Sequence, residues 1–359
     1  MIAKVLVLLQ EKKYALVKQA VLEMNAVDIA EVFAELHELE APQASLRLFR
    51  LMPKELAAET FSYMESDVQQ SIIEAISDNE LRFILDDMYM DDYVDLIEEM
   101  PANVVKRLLA NSSDENRKLI NEYLQYPEDS AGSIMTNEYV YFRRNVTVRE
   151  AFDIIRKTGV DKETIYTCYV ISTERKLEGV VTVRELLLAD PNAAVDTIMS
   201  TNVIHAHTLD DKEEIAKLFS RYDMLSLPVV DKEERLVGII TIDDAVDVMQ
   251  EANTEDFEMM AGIAHSDDTY LKMPVVSLAK NRIIWLLVLM FSAMITGAML
   301  EHYEAAIATL PLLVSFIPML MDTGGNCGSQ ASTMIIRGMA LDEAIMTGDQ
   351  YLDQAILAG

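Results

Sequence analysis

Five carboxylates in the second half of the chain recur at intervals of three or four residues. They are Asp244, Asp247, Glu251, Glu255 and Glu258. On a helix this spacing places them in one stripe, where like charges repel by about 0.2–0.5 kcal/mol per pair. Carboxylate oxygens are hard ligands that suit Mg²⁺ or Ca²⁺. The stripe therefore predicts either a solvated acidic face or a helix that binds divalent cations.

The position of this stripe in the chain favours cation binding. Residues 243–268 hold nine carboxylates and no Lys or Arg, whereas residues 283–300 carry no charge at all. The apolar stretch is long enough for a membrane span with its flanks. Lys280 and Arg282 precede it, and the positive-inside rule then places that end in the cytoplasm. We predict an acidic connecting helix over residues 243–271 that leads into a membrane domain over residues 272–359.

Composition limits the classes of partner. The chain has 359 residues, enough for two or three domains, and a formal net charge of −30. This charge argues against nucleic acid, whose phosphates need a basic surface, and agrees with binding of cations. Cys168 and Cys327 lie in unlike regions and show no pairing pattern, which favours a reduced, cytosol-facing chain.

Residues 1–130 show apolar positions at helical spacing and are predicted to be all-α. Pro53 and Pro101 each stand at the predicted start of a helix, where the missing N–H costs nothing. Several short helices joined by tight turns predict a superhelical N-terminal domain. Asp91 and Asp95 share a helical face in it, which is either solvated surface or part of a cation site.

Residues 131–250 contain one pattern twice. SIMT at 133–136 and TIMS at 197–200 open the two copies, and GVVT at 179–182 and GIIT at 238–241 close them. Amphipathic helices are predicted at 148–157 and 215–222, and strands at 166–171, 177–183, 227–230 and 236–242. Because opening, strand pair and closing motif recur in order, the repeat predicts two α/β modules, at 131–195 and 196–250.

This repeat resembles a tandem pair of CBS modules, which hold adenine nucleotides or ions between the copies. In nucleotide-binding copies an Asp three residues after the Thr commonly contacts the ribose. Here those positions are Glu185 and Asp244. The resemblance therefore allows ATP at the CBS pair but leaves it open.

A second apolar run predicts another membrane span, so that the spans lie at about 283–300 and 305–330. Its second half is rich in glycine and small polar residues. Irregular backbone at membrane depth is tolerated only where it is buried in protein or lines water, and free carbonyls and amides can hold a hydrated ion. The segment predicts either a pore-lining break or a simple helix-end loop. The candidate pore residues are Gly324, Gly325, Asn326, Gly328 and Gln330.

Over almost its whole length the chain resembles the MgtE family of magnesium transporters. The motifs are LMPKELAAE at 51–59, YPEDSAG at 126–132 with Met135 and Thr136, and GGN at 324–326 with Gly328 and Gln330. The resemblance implies a homodimer in the plasma membrane with its N-terminal domains in the cytoplasm. It further implies a helical N-domain, a CBS pair, a connecting plug helix and five membrane spans around a pore on the dimer axis.

The resemblance also implies regulatory Mg²⁺ ligands in three places. The N-domain would supply Glu59, Asp91 and Asp95; the CBS pair would supply Asp211, Glu213 and Asp223; the plug would supply Asp244, Asp247, Glu255 and Asp256. At high internal Mg²⁺, ions bridging these carboxylates would hold the plug closed over the pore. Only two of the five spans are read in this chain, and residues after Asp342 fit the family poorly. We therefore expect a fragment or an early end that lacks the complete pore.

Two other functions remain open at this point. One is a membrane-tethered divalent-cation sensor without transport. The other is a CBS-regulated transporter of another ion, such as Co²⁺, an anion being disfavoured by the acidic composition. An enzyme is the least favoured class, because no nucleophile–base pair, phosphate loop or His/Cys metal cluster is recognisable. His205 and His207 are interpreted as ordinary surface residues.

Overall fold

The computed structural model describes residues 1–264, 273–305 and 312–340. It divides into two compact units, Met1–Val246 and Asp247–Gly359. The end of the predicted connecting segment, the start of the predicted second span and the residues after Asp342 lie outside the described residues.

The first unit begins with ten short helices, as expected for an all-α N-terminal domain. Each has between 8 and 13 residues. They are α1 (Ile2–Gln10), α2 (Tyr14–Val21), α3 (Ala26–Glu38), α4 (Pro42–Leu51), α5 (Lys54–Ser62), α6 (Ser66–Ala75), α7 (Asp78–Asp87), α8 (Met90–Glu99), α9 (Ala102–Asn111) and α10 (Asp114–Tyr123).

These helices pack mainly on their second neighbours. Helix α3 contacts α5, α5 contacts α7, and α7 contacts α9. Phe33, Phe61 and Leu81 lie in this core with no exposed surface. Pro53 and Pro101 are the residues immediately before α5 and α9, so each proline stands at a helix start as predicted. Such an array has one apolar stripe per helix and leaves the opposite, acidic face to solvent or to another domain.

The CBS pair follows as two copies of one α/β unit. The first copy contains β1 (Tyr139–Phe142), α11 (Val148–Thr158), β2 (Thr164–Ile171), β3 (Leu177–Thr182) and α12 (Val183–Leu188); the second contains β4 (Ala206–His207), α13 (Lys212–Tyr222), β5 (Ser226–Val230) and β6 (Leu236–Thr241). Each copy forms a three-stranded sheet, with its first strand parallel and its last strand antiparallel to the middle one. The predicted repeat is confirmed. The two first strands were not predicted, because four and two residues are too few to show a period.

The opening motif of each copy pairs with the closing strand of the other copy. The backbone of Thr136 exchanges two hydrogen bonds of 2.8 Å with Ile239, and Ser200 exchanges bonds of 2.8 and 2.9 Å with Val180. A glycine beside each contact permits this approach. A Cβ at Gly238 would lie 2.7 Å from Met135 Sδ and 2.9 Å from Thr136 O, and one at Gly179 would lie 2.6 Å from Met199 Sδ. The repeated motifs are thus two halves of a reciprocal contact that joins the copies.

Helix α14 (Ile242–Met260) is the predicted acidic helix, and it ends earlier than predicted. Gly262 adopts φ +65°, and the N–H of Ile263 donates to Glu258 O at 2.9 Å, which is the pattern of a glycine-terminated helix. The indole of Trp285 lies against Gly262, where a Cβ would come within 2.6 Å of the ring. The end of the acidic helix is therefore packed on the helix that follows, α15 (Val275–His302).

One described helix, α15, is long and apolar enough to cross a membrane, with a mean hydropathy of 2.3 over its best window. At 1.5 Å per residue its 28 residues span about 42 Å, more than the ~30 Å hydrocarbon core. It includes the first predicted span. The last described helix is α16 (Leu312–Ala340).

Helix α16 corrects the prediction of an irregular break. The glycine-rich segment around Gly324 and Gly328 is continuous α-helix, and even Pro318 lies within it. Because Asp322, Asn326 and their polar neighbours lower its hydropathy, α16 is not among the described helices that could cross a membrane by length and composition. The second span therefore stays a prediction.

The contact between the CBS copies leads to a test of stability. We expect Gly238→Ala to lower the free energy of unfolding by about 1–3 kcal/mol, because the added methyl group overlaps the backbone of Thr136 as well as Met135. Thermal unfolding of the full chain in detergent measures this. Gly297→Ala is the control, since its Cβ would meet no atom within 4 Å; equal unfolding midpoints for the two variants would contradict the interpretation.

Candidate functional site

The first side of the candidate site is the N-terminal part of α8. Asp91, Asp92 and Asp95 lie on this helix, and the Asp92 N–H donates to Asp91 Oδ1 at 3.0 Å. Asp91 is only 8% exposed, which is unusual for an aspartate, whereas Asp95 lies at the solvent-exposed rim. The N-terminal end of the helix dipole favours negative charge at Asp91 and Asp92, but it does not replace a cation.

The second side comes from the CBS pair and the first turn of α14. Glu163 directly precedes β2, and Asp243 and Asp244 follow β6. The Asp244 carboxylate is held in place, because its Oδ2 accepts hydrogen bonds from Thr241 Oγ1 (2.7 Å) and Thr241 N (3.2 Å). We call the six acidic residues of the two sides the carboxylate cluster: Asp91, Asp92, Asp95, Glu163, Asp243 and Asp244.

Burial and mutual repulsion raise the pKa values of Asp91, Asp92, Asp95, Glu163 and Asp244. Burial is the largest cause throughout. It raises the pKa of Asp91 well above its usual value, with the charge of Asp244 as the next cause. Asp95 keeps an exposed surface, but desolvation of its carboxyl group by the surrounding atoms, together with the charges of Asp244 and Asp92, raises its pKa to about 7. Burial, with help from Asp243 and Asp244, raises the pKa of Glu163 to about 8. The pKa of Asp244 rises to about 6 despite its bonds to Thr241. Among the described residues, no Lys or Arg side chain is a leading influence on these pKa values, so no such positive charge offsets the cost of ionising these carboxyl groups near neutral pH.

Unpaired oxygens at the site fit a divalent cation. Among the described residues, the buried Glu163 Oε2 and the buried hydroxyl of Tyr123 have no hydrogen-bond partner. The phenols of Tyr63 and Tyr89 also face the cluster, since after burial the charges of its carboxylates raise both pKa values. The donors are carboxylate and hydroxyl oxygens, the set that suits Mg²⁺ or Ca²⁺ and not a soft metal.

Some predicted site residues meet in this cluster. The charge of Asp244 on α14 raises the pKa values of both Asp91 and Asp95 on α8, so residues from two elements far apart in sequence lie near one another. Glu59 lies exposed on α5, and its charge acts with that of Asp243 on the Tyr63 phenol. The structure therefore places Glu59 beside the same rim.

Other predicted ligands lie elsewhere. Asp211 and Glu213 are at the start of α13, where Asp211 Oδ1 accepts from the N–H groups of Glu213 (2.9 Å) and Glu214. Asp223 ends the same helix in the left-handed conformation, with φ 50°. Asp247, Glu255 and Asp256 lie on the part of α14 that belongs to the second unit. The metal-binding roles of these residues stay predictions.

The candidate pore residues all lie on α16. A Cβ at Gly324, Gly325 or Gly328 would meet no atom within 4 Å, so this face of the helix is open. Asn326 Nδ2 donates to Asp322 Oδ2 at 3.4 Å, one turn earlier. Gln330 follows in the same helix. Their part in a pore also stays a prediction.

Two features escaped the sequence analysis. Asp92, Asp243 and Glu163 belong to the carboxylate cluster; the first two adjoin predicted ligands, but no spacing connects Glu163 with α8. The structure also places His205 and His207 beside Glu234, a proximity that the sequence analysis did not predict. Their i, i+2 spacing next to a strand was the available signal, because such residues share one face.

A helical domain, a repeated α/β pair and an acidic helix precede a described helix that is long and apolar enough to cross a membrane. The family model of the MgtE intracellular N domain matches residues 24–129, and the CBS domain model matches residues 131–192 and 195–251. The magnesium transporter MgtE of Thermus thermophilus is 34% identical over 348 residues, covering 92% of this chain and 76% of the relative. MgtE of Bacillus subtilis is 31% identical, covering 96% and 75%.

The structural comparison agrees with the sequence comparison. The crystal structure of the cytosolic domain of the Mg²⁺ channel MgtE in complex with ATP matches with a TM-score of 0.64 and 34% identity. It covers 69% of this chain and 100% of that structure. The chain belongs to the MgtE family of magnesium transporters.

Family membership also decides against an enzyme. Several enzymes match as well, but they share only the CBS part and cover between 32% and 39% of this chain. The relatives that match over almost the whole chain are named as transporters. The predicted class, a membrane transport protein and not an enzyme, is confirmed.

The raised pKa values predict how stability depends on pH without divalent cations. Carboxyl groups of the unfolded chain titrate near pH 4, whereas Asp244, Asp95 and Glu163 titrate at about 6, 7 and 8 in the fold. Between these values the folded state binds more protons, so the cluster lowers stability as pH rises from about 4 to about 8. We expect Asp91→Asn to reduce this loss, measured as the unfolding midpoint in EDTA across that range.

A matched variant isolates this effect from other carboxyl groups. Asp28→Asn removes an exposed aspartate on α3, outside the cluster. It should leave the pH dependence of the parent chain unchanged. Identical pH profiles for the parent and Asp91→Asn would contradict the assignment of the loss to the cluster.

Proposed function

We propose that this chain belongs to a Mg²⁺-gated channel that takes up Mg²⁺ and closes when its cytosolic carboxylates bind Mg²⁺. The observation that supports the proposal is the carboxylate cluster, which joins α8 of the N-domain to the CBS pair and to the first turn of α14. Because raised pKa values alone do not identify a ligand, the proposal also depends on family membership and on the oxygen donor set.

In the proposed gate, a cation bound by the carboxylate cluster connects α8 to α14. Asp91 and Asp95 on α8 and Asp244 on α14 hold the two sides together when a bound cation supplies the missing positive charge. Without it, the ionised side chains repel across the junction, and α8 separates from α14. The equilibrium shifts only to the extent that the closed arrangement binds the cation more tightly than the open one.

Helix α14 is the element that passes this change onward. It is continuous from Ile242 to Met260, and its first turn holds Asp244. That last turn packs on Trp285 of the apolar helix. We propose Asp247, Glu255 and Asp256 on α14, together with Glu59, Asp211, Glu213 and Asp223, as further regulatory ligands.

The membrane arrangement is proposed from the family. We infer a homodimer in the plasma membrane, with both N-terminal domains in the cytoplasm and five spans in the complete membrane domain. Lys280 and Arg282 near the start of α15 support this orientation. The open glycine face of α16, with Asn326 and Gln330, would then line the pore and present amides and carbonyls to a hydrated ion.

ATP at the CBS pair is a second proposed ligand, favoured by the related cytosolic domain that was crystallised with ATP. Glu185 stands at the position where nucleotide-binding copies contact the ribose. Its Oε2 accepts from Thr182 N at 2.7 Å and from Thr182 Oγ1 at 2.8 Å, which fixes the carboxylate beside the closing motif of the first copy. Titration of the full chain with ATP, compared between the parent and Glu185→Ala, tests this assignment.

Protease protection provides the test of the gate. We expect millimolar Mg²⁺ to slow cleavage between the N-domain and the CBS pair of the full chain in detergent. The double variant Asp91→Asn, Asp244→Asn should need at least about tenfold more Mg²⁺ for the same protection, since each 1.4 kcal/mol of lost binding energy is a factor of ten. Asp28→Asn should behave as the parent, and equal protection of all three proteins would contradict the proposed gate.

Flux into liposomes, measured on the protein with all five membrane spans, separates the proposal from its rivals. A Mg²⁺ channel should carry Mg²⁺ at low concentration on the side of the N-domain and close as that concentration rises, whereas the double variant should stay open. Mg²⁺ protection without any Mg²⁺ flux would favour the membrane-tethered sensor. Preferential flux of Co²⁺ would favour a transporter of another divalent metal.

A further inference from the structure

Two histidines and a glutamate meet at one end of the second CBS copy, in residues that the Mg²⁺ proposal does not use. His205 Nε2 lies 3.5 Å from Glu234 Oε2, and His207 Nε2 lies 3.4 Å from Glu234 Oε1. The three possible donor atoms all lie within 4.8 Å of one another. Each histidine thus directs the same ring nitrogen towards one carboxylate.

The opposite ring nitrogens have their own partners. His205 Nδ1 lies 3.1 Å from the carbonyl oxygen of Val203, which can only accept, so in the neutral imidazole Nδ1 carries the proton and Nε2 has the lone pair. His207 Nδ1 lies 3.7 Å from Asp210 Oδ2. That carboxylate is anchored by the His207 N–H, which donates to it at 2.7 Å. Metal-binding histidines commonly use a carbonyl or carboxylate in this way to fix the ring and its tautomer.

The turn between β5 and β6 keeps Glu234 available to the histidines. Arg235 forms ion pairs with the two other acidic residues of the turn, Asp231 at 2.7 Å and Glu233 at 2.6 Å. Glu234 adopts φ 63°, an uncommon conformation for a residue other than glycine. Its backbone is fixed in that conformation, since its N–H donates to Asp231 O and its carbonyl accepts from Leu177 N.

We propose that His205, His207 and Glu234 form a binding site for a transition-metal ion, with Zn²⁺ as the preferred ion and water as its fourth ligand. Two imidazoles and one carboxylate are a common donor set for zinc. Zinc bonds of 2.0–2.1 Å in a tetrahedron separate the donor atoms by about 3.3 Å. The observed distances of 3.5 and 3.4 Å run to the two different oxygens of Glu234, and one donor atom from each residue lies within 4.8 Å of the others. Closure onto one ion therefore needs each pair of donors to approach by at most about 1.5 Å.

This site and the carboxylate cluster select different ions. Imidazole nitrogen suits zinc and its neighbours in the first transition row, whereas Mg²⁺ requires hard oxygen ligands and octahedral geometry. Millimolar Mg²⁺ therefore does not displace Zn²⁺ from the histidines. Occupation connects β4 to the β5–β6 turn, whose backbone is hydrogen-bonded to the first CBS copy through Leu177 and Arg175. Zinc thus stabilises the end of the pair where the two copies meet.

Titration of the full chain in detergent tests the site. The metal-free protein is titrated with Zn²⁺ against a chromophoric chelator, with Mg²⁺ in millimolar excess to saturate oxygen-only sites. We expect one tight equivalent in the parent, and at least tenfold weaker binding of it in His205→Ala, in His207→Ala and in Glu234→Gln. Co²⁺ in place of Zn²⁺ should give the intense visible bands of a tetrahedral complex in the parent but not in the three variants of the site.

The control is His37→Ala, which removes a histidine on α3 that pairs with Asp67 at 3.7 Å, away from the second CBS copy. It should bind Zn²⁺ as the parent does. Circular dichroism verifies that each variant is folded, and because His205, His207 and Glu234 are partly exposed, the fold should tolerate all three changes. Unchanged tight binding in the folded double variant His205→Ala, His207→Ala would overturn the proposal, as would the absence of a tight equivalent in the parent.

Discussion

The repulsion among carboxylates at one junction is the constraint on which the regulatory part depends. Asp91 is almost fully buried, and both this burial and the charge of Asp244 oppose the ionisation of its carboxyl group. Such residues are rare in protein interiors, because an unpaired buried charge lowers the free energy of unfolding by several kcal/mol. Under the proposed function, this cost makes the junction sensitive to a divalent cation, because the closed arrangement is less stable without the ion.

The CBS pair supplies the rigid support for this junction. Each opening motif hydrogen-bonds to the closing strand of the other copy, and Tyr169 bonds across to Ser226 Oγ at 2.9 Å in the shared core. Glu163 and Asp244 are attached to the first and the second copy respectively, so the reciprocal contacts fix the distance between them. The acidic side chains on α8 therefore face a surface of constant spacing, whatever the position of the N-domain.

The sequence predicted most of the fold and part of the site. The spacing of apolar and acidic residues and the repeated motifs predicted the helical domain, the repeat and the acidic helix, because these patterns are long or occur twice. The spacing of Asp91 and Asp95 predicted a common face, but Glu163 stands alone in a turn and joins the cluster only through tertiary packing. The proximity of Glu234 to His205 and His207 was not predicted for the same reason, since the β5–β6 hairpin brings Glu234 to them. On α16 the glycines suggested a break, whereas the helix continues through them.

The packing of Gly262 against Trp285 has a practical consequence. Trp285 is the only tryptophan among the 359 residues, and it lies where the acidic helix meets the apolar one. Indole emission responds to local polarity. The tryptophan fluorescence of this chain therefore originates from a single ring, at the point where a regulatory signal would enter the bilayer. The chain thus contains its own optical probe of that joint and needs no attached dye.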